Sequence, residues 1–215
     1  MRRNRVTYSD PSEVVLFDFD GVVRHWSGAV NDAMDRRLGL QPGTFVATTY
    51  EVAEYELGVL GRVTFDDWCT AITTALAQVA PAADVAGAVT QWRRYRGDVD
   101  RAMVHVVEEA RSVAPVGLVS NAHDCLRADL RELGVEGLFD HVICSAAIGV
   151  AKPSREIYLA AADAFSVPPA RCAFVDDQLD NVRTARDLGM RSDLFRGPAE
   201  CQTFLRTALQ TTRSP

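Results

Sequence analysis

Two kinds of hydrophobic pattern alternate along most of the chain. The run "VVLFDF" (residues 14 to 19) is short, β-branched and aromatic, lies between turn-forming residues, and predicts a strand buried on both faces. Similar runs are "VGLVS" (116 to 120), "HVICS" (141 to 145), "CAFV" (172 to 175) and "SDLF" (192 to 195). Between them apolar residues recur at helical spacing. Met103, Val106, Val107, Ala110 and Val113 share one face, and Leu126, Leu130 and Leu133 share another ahead of Gly134. Ile157, Ala161 and Phe165 follow Ser154 as N-cap, and Val182, Ala185 and Leu188 precede Gly189. Strands alternating with helices in this way predict an α/β fold with a five-stranded parallel sheet covered on both faces.

Residues 24 to 98 break the rhythm. Val30/Met34/Leu38, Trp68/Ile72/Leu76/Val79 and Val85/Val89/Trp92 are helical patterns with no strand between them, so an all-helical insertion leaves after the first strand. It returns near "RGDVD", where Gly97 is a candidate hinge. The expected organisation is a core formed by residues 12–24 and 98–205, a helical domain at 25–97, and loose termini at 1–11 and 206–215.

Composition narrows the classes of function. The chain is 47% hydrophobic and 24% charged, and no apolar stretch approaches the length that spans a bilayer. The opening "MRRNRVTYSDPSE" lacks the apolar core of a secretory signal, which predicts a loose arm and a cytoplasmic setting. The net charge of −6 offers no footprint for nucleic acid. Cys69, Cys125, Cys144, Cys172 and Cys201 are scattered without a C-x-x-C pair, which disfavours disulfides or structural zinc and predicts small buried residues. Oligomeric state is left open.

Ligands of parallel α/β sheets bind beyond the carboxyl ends of the strands. There the first strand carries Asp18 and Asp20, the second Ser120 and Asn121, and the fourth Asp176 and Asp177, with Asp180 and Asn181 a turn further on. A loop after the third strand brings Lys152 and Pro153. Singly, each has an ordinary explanation as a turn, a helix cap or a solvated charge. Jointly they describe one site. Lys152 is the sole lysine, every other basic side chain being arginine, and a compact ammonium suits a point contact to one oxygen. Gathered carboxylates need compensating cations, and oxygen ligands without clustered His or Cys favour Mg²⁺ over zinc. Such a site accepts an anion, with one aspartate as nucleophile and a second handling protons.

The ordered set "DFDGVV", "LVSNA", "AKP" and "FVDDQLDNV" resembles the four motifs of the haloacid dehalogenase (HAD) superfamily, subfamily IA, from residue 14 to about 197. The resemblance implies a Rossmann-like core with a C1-type helical cap inserted between motifs one and two. It implies that Asp18 becomes an aspartyl-phosphate and that Asp20 protonates the leaving group and then activates water. Ser120 and Asn121 would hold phosphoryl oxygens, and Lys152 would steady both the phosphoryl group and Asp18. Mg²⁺ would be held by Asp18, the Asp20 backbone carbonyl, Asp176 and Asp177, with Asp177 the stronger direct ligand.

Dehalogenases of this family lack the second aspartate and need no Mg²⁺, so Asp20 points to phosphoryl chemistry. Relatives that cleave carbon–phosphorus bonds use a cap lysine, which this cap does not contain. The expectation is therefore a Mg²⁺-dependent phosphatase acting on a small phosphorylated metabolite, with a phosphomutase, a 2-haloacid dehalogenase-type hydrolase and a catalytically silent binding protein as alternatives. Receiver domains combine similar residues, but in them Lys-Pro comes last, whereas here it precedes the acidic pair. His25, Trp26 and residues 48 to 62, with Tyr50, Glu54 and Glu56, are the candidates for meeting substrate. His105, His123 and His141 are expected to take no catalytic part, His123 lying on a surface loop.

Overall fold

The computed structural model describes residues 11–210. Strand β1 (Val14–Phe17) leads through a turn into β2 (Arg24–His25). Helices α1 (Gly28–Leu38), α2 (Thr44–Glu51), α3 (Glu54–Val59), α4 (Phe65–Val79) and α5 (Val85–Trp92) follow, and β3 (Asp98–Val99) returns. The chain continues as α6 (Arg101–Arg111), β4 (Val116–Ser120), α7 (Leu126–Glu132), β5 (His141–Cys144), α8 (Ser145–Ile148) and α9 (Arg155–Ala164). It then forms β6 (Cys172–Asp176), α10 (Leu179–Asp187), β7 (Arg191–Leu194) and α11 (Pro198–Leu209).

The predicted α/β architecture is present. Five strands pair in the order β5-β4-β1-β6-β7, all parallel. β1 lies at the centre, and its run "VVLF" is buried throughout. Alternation divides that burial between two layers. Val15 and Phe17 pack with Met103, Val107, Leu130 and Leu205 on one face, while Val14 and Leu16 pack with Ile157, Tyr158, Phe174 and Ala185 on the other.

The inserted helices have their own apolar cluster, including Met34, Phe45, Trp68, Ile72, Leu76 and Val89. α4 starts with a capping box in which Thr64 and Asp67 satisfy each other's backbone N–H groups. The entry and exit strands are antiparallel, with Arg24 opposite Val99 and His25 opposite Asp98. Gly97 sits just before this ribbon at φ +82°, and a Cβ there would lie 2.7 Å from the Arg24 stem. Only glycine suits that close approach.

Some expectations need correction. The core does not stop at residue 205: α11 continues to Leu209, Ala208 is buried, and Ser12 N–H donates to the Ala208 carbonyl at 2.8 Å. Residues 206–209 are therefore helical, with Ala208 buried, rather than loose, while 1–10 and 211–215 lie outside the described residues. Val113 lies beyond the end of α6 and is exposed, because the helix stops at Arg111. Four cysteines are buried, but Cys125 is only partly so. Among the described residues, no helix is long and apolar enough to cross a membrane.

Candidate active site

β1 ends at Phe17, two residues earlier than its sequence pattern implies. Asp18 still donates its N–H to Val175 O at 2.9 Å, but the chain then turns, with the N–H groups of Val22, Val23 and Arg24 all directed at Phe19 O. The turn separates the surroundings of the two aspartates. The Asp18 side chain is buried, and its Oδ1 accepts from Phe19 N at 2.7 Å and pairs with Lys152 Nζ at 2.7 Å. Asp20 is part-exposed and belongs to a second network.

Lys152 is buried between two carboxylates, since its Nζ also meets Asp176 Oδ2 at 2.7 Å. Asp176 is fully enclosed, and its Oδ1 accepts from Gln178 N at 2.8 Å and Asn181 Nδ2 at 2.9 Å. Oxygens of Asp18, Asp176 and Asp177 lie within 4.8 Å of one another. Negative charge therefore outnumbers the single ammonium. Burial, opposed by Lys152 and reinforced by Asp176 and Asp20, pushes Asp18 up to about 8. Burial disfavours the Lys152 ammonium, but the Asp18 and Asp176 carboxylates outweigh it and hold its pKa above the lysine range. Burial, followed by the Asp176 charge, also raises Asp177. A hard divalent cation among these oxygens would relieve the excess, so this donor set fits Mg²⁺.

The structure thus brings Asp18, Lys152, Asp176 and Asp177 together. Ser120, at the end of β4, is buried, and its Oγ has no hydrogen-bond partner among the described residues. An orphaned hydroxyl at that depth is suited to a ligand oxygen. Asn121 differs from its expected use. Its Nδ2 donates to Lys152 O at 2.8 Å and its Oδ1 accepts from Lys152 N at 2.7 Å, so the side chain clamps the lysine's backbone.

Two features were not legible beforehand. The first is Arg24, whose Nε and Nη2 donate to Asp20 Oδ1 and Oδ2 at 2.7 and 2.9 Å, while Nη1 reaches Asp129 Oδ2 at 3.1 Å. Trp26 Nε1 adds a donor to Asp20 Oδ1 at 2.7 Å. The i,i+4 spacing of Asp20 and Arg24 was the available signal. The second is His123, which is buried and not on the surface: its Nε2–H donates to Tyr55 O of the inserted helices at 3.1 Å. Burial lowers its pKa, opposed by that carbonyl and by Asp124. Asp20, Asn121, His123 and the inserted helices enclose a cavity of about 220 Å³.

A family model for haloacid dehalogenase-like hydrolases matches residues 13–189. The chain belongs to this family. Phosphatase MT3486 of Mycobacterium tuberculosis is 39% identical over 93 residues, covering 41% of this chain and 42% of that protein. The matched stretches span 13 to 42% of the curated relatives, so those proteins share only part of their length with this HAD-like hydrolase. A HAD family enzyme from Bacteroides thetaiotaomicron, in complex with magnesium and inorganic phosphate, superposes with a TM-score of 0.69 at 18% identity, covering 85% of this chain and 93% of that one. The L-2-haloacid dehalogenase RSc1362 gives 0.70 at 20% identity, with 91% and 99% covered. At such identities the likeness is one of fold.

Proposed function

We propose that this HAD-like hydrolase is a Mg²⁺-dependent phosphatase of small phosphate monoesters that works through an aspartyl-phosphate at Asp18. The observation carrying this reading is the difference in surroundings between Asp18 and Asp20 after β1. One buried carboxylate is steadied by Lys152, and a second, two residues on, faces the cavity. A halide leaves without a proton, so hydrolysis of a haloacid would not call on Asp20 as a proton donor to the leaving group.

In the first half-reaction Asp18 Oδ2, the oxygen not bonded to Lys152, attacks phosphorus. The P–O bond to the leaving group breaks, and protonated Asp20 gives its proton to the departing oxygen, which leaves as an alcohol. In the second, Asp20 takes a proton from water, the hydroxide oxygen bonds to phosphorus, and the P–O bond to Asp18 breaks. Inorganic phosphate and the original carboxylates result. Ser120 Oγ donates to a phosphoryl oxygen and Lys152 Nζ offsets charge at the same centre. Asp18, Asp177 and the Asp20 backbone carbonyl, with Asp176 alongside, would hold Mg²⁺, which would supply electrostatic stabilisation of the phosphoryl oxygens. Asp176 and Asn121 fix the lysine.

Residues 25–97 act as the cap, excluding water and selecting substrate. Five free cysteines suit a reducing, cytoplasmic setting. The test is phosphate release from a panel of phosphomonoesters with Mg²⁺ or EDTA. Mg²⁺-dependent release that Asp18→Asn abolishes and Asp20→Asn strongly slows supports the reading; wild-type rates in either variant overturn it.

A further inference from the structure

The cavity beside Asp20 has a character of its own. At about 220 Å³ it is small. An apolar cavity of about 150 Å³ takes one benzene, so the space suits one substituted ring. Its walls carry several aromatic rings beside the Asp20 carboxylate. Tyr50 meets Tyr55 edge-on at 4.8 Å between centroids, and Trp68 packs against His123 at 4.4 Å. Trp26, the donor to Asp20, meets Tyr95 at 5.7 Å. Trp26 and Tyr50 are 47% and 58% exposed, and although the Arg24 guanidinium covers one face of Trp26 at 4.5 Å, its other face and the Tyr50 ring are left for a guest.

Charge in the lining is already paired. Arg24 is bound to Asp20 and Asp129, Arg96 to Asp129 and Glu132 at 3.2 and 3.1 Å, and Arg93 to Asp66. His123 is buried with a lowered pKa and adds no charge at neutral pH. Among the described residues, no lining guanidinium is left for a second phosphate or a substrate carboxylate. A bisphosphate or a haloacid would enter this space with an uncompensated charge.

We propose that the leaving group is a neutral, single-ring aromatic alcohol, so that the substrate is its phosphate monoester; this rests on the phosphatase reading above. The alcohol oxygen lies at Asp20, where it receives its proton, and the ring stacks between Trp26 and Tyr50. Sugar and polyol phosphates, which present hydroxyl groups to these rings, are poorer substrates because those hydroxyls lose water without gaining partners.

Two measurements test this. In the first, benzyl phosphate and glucose 6-phosphate are compared by kcat/KM with Mg²⁺, in the wild type and in Tyr50→Ser and Tyr50→Phe. The expected preference for benzyl phosphate is on the order of 10-fold or more, narrowed several-fold by Tyr50→Ser and kept by Tyr50→Phe. In the second, benzyl alcohol and glycerol are titrated against tryptophan emission, all three tryptophans of the chain lining the cavity. Benzyl alcohol alone should change the emission, saturably. Equal or better turnover of glucose 6-phosphate, with no response to benzyl alcohol, overturns the inference and leaves the phosphatase reading intact. A benzyl alcohol response with no phosphate release from any ester supports the ring site and overturns the phosphatase reading.

Discussion

Arg24 grips Asp20 through two parallel bonds, at 2.7 and 2.9 Å, and extends the same guanidinium to the buried Asp129 at 3.1 Å. A residue of the entry strand thereby fixes the carboxylate assigned to proton transfer. The guanidinium also lies 4.4 Å over Phe19 and 4.5 Å over Trp26, so two rings help to fix its plane. Replacing Arg24 with Lys keeps the charge but loses the fork. We expect Arg24→Lys to lower kcat about 10-fold or more while the fold survives. Arg24→Ala should also destabilise, by about 1–3 kcal/mol, because Asp129 then keeps only its ion pair with Arg96 at 3.2 Å. Steady-state kinetics and thermal melts of the two variants separate the effects; unchanged kcat in both removes Arg24 from the account.

Gly21 has φ +84°, and a Cβ there would lie 2.1 Å from Asp177 Oδ2. Gly21→Ala must therefore strain the turn and push Asp177 from its position. The wild type should melt at a higher temperature in Mg²⁺ than in EDTA, since an ion that binds only the folded state stabilises it. In Gly21→Ala that increment should shrink or vanish. An undiminished Mg²⁺ increment would contradict the placement of Asp177 among the metal's ligands.

Gly58 on α3 faces His123, with a hypothetical Cβ 2.4 Å from the imidazole Cδ2. Alanine there should overpack the junction and cost about 1–3 kcal/mol. Gly28→Ala is the control, because its Cβ meets nothing within 4 Å. Thermal denaturation should show a loss in the first variant and none in the second; equal melts would mean that α3 is not seated on His123.

Burial lowers the His123 pKa below its ordinary 6.5, with Tyr55 O and Asp124 opposing the shift. The unfolded chain then binds more protons than the folded one in the interval between the lowered pKa and 6.5. Stability contributed by the neutral ring is fully present above about 6.5 and is lost as pH falls through that interval. The raised carboxylates Asp18 and Asp177 act in the opposite sense in both proteins, so the His123 contribution is read as a difference: relative to His123→Gln, the wild type should lose melting temperature from pH 7 to pH 5. An identical slope in the variant would exclude His123 as its source.

The sheet was legible because its strands are short runs of β-branched and aromatic residues, and because strand ends in a parallel sheet point to one edge. That logic also reached Asp18, Lys152, Asp176 and Asp177. It failed where partners are distant in sequence. The bond from Arg24 to Asp129 spans 105 positions, and the His123–Tyr55 contact crosses from the core to the inserted helices. It failed at Asn121 because a side chain near an anion site looks like a ligand until its amide is seen to bond the Lys152 backbone. The end of α11 was missed because Arg206 and Thr207 read as polar tail, while Ala208 supplies only a small apolar contact.

The central claim is that Asp18 carries the phosphoryl group. Its most direct test is mass spectrometry of the acid-quenched enzyme after mixing with Mg²⁺ and a turned-over phosphomonoester. The account predicts one phosphoryl group on the peptide containing Asp18, accumulating in Asp20→Asn and absent from Asp18→Asn. Turnover with no label at Asp18, or with the label on another residue, would contradict it.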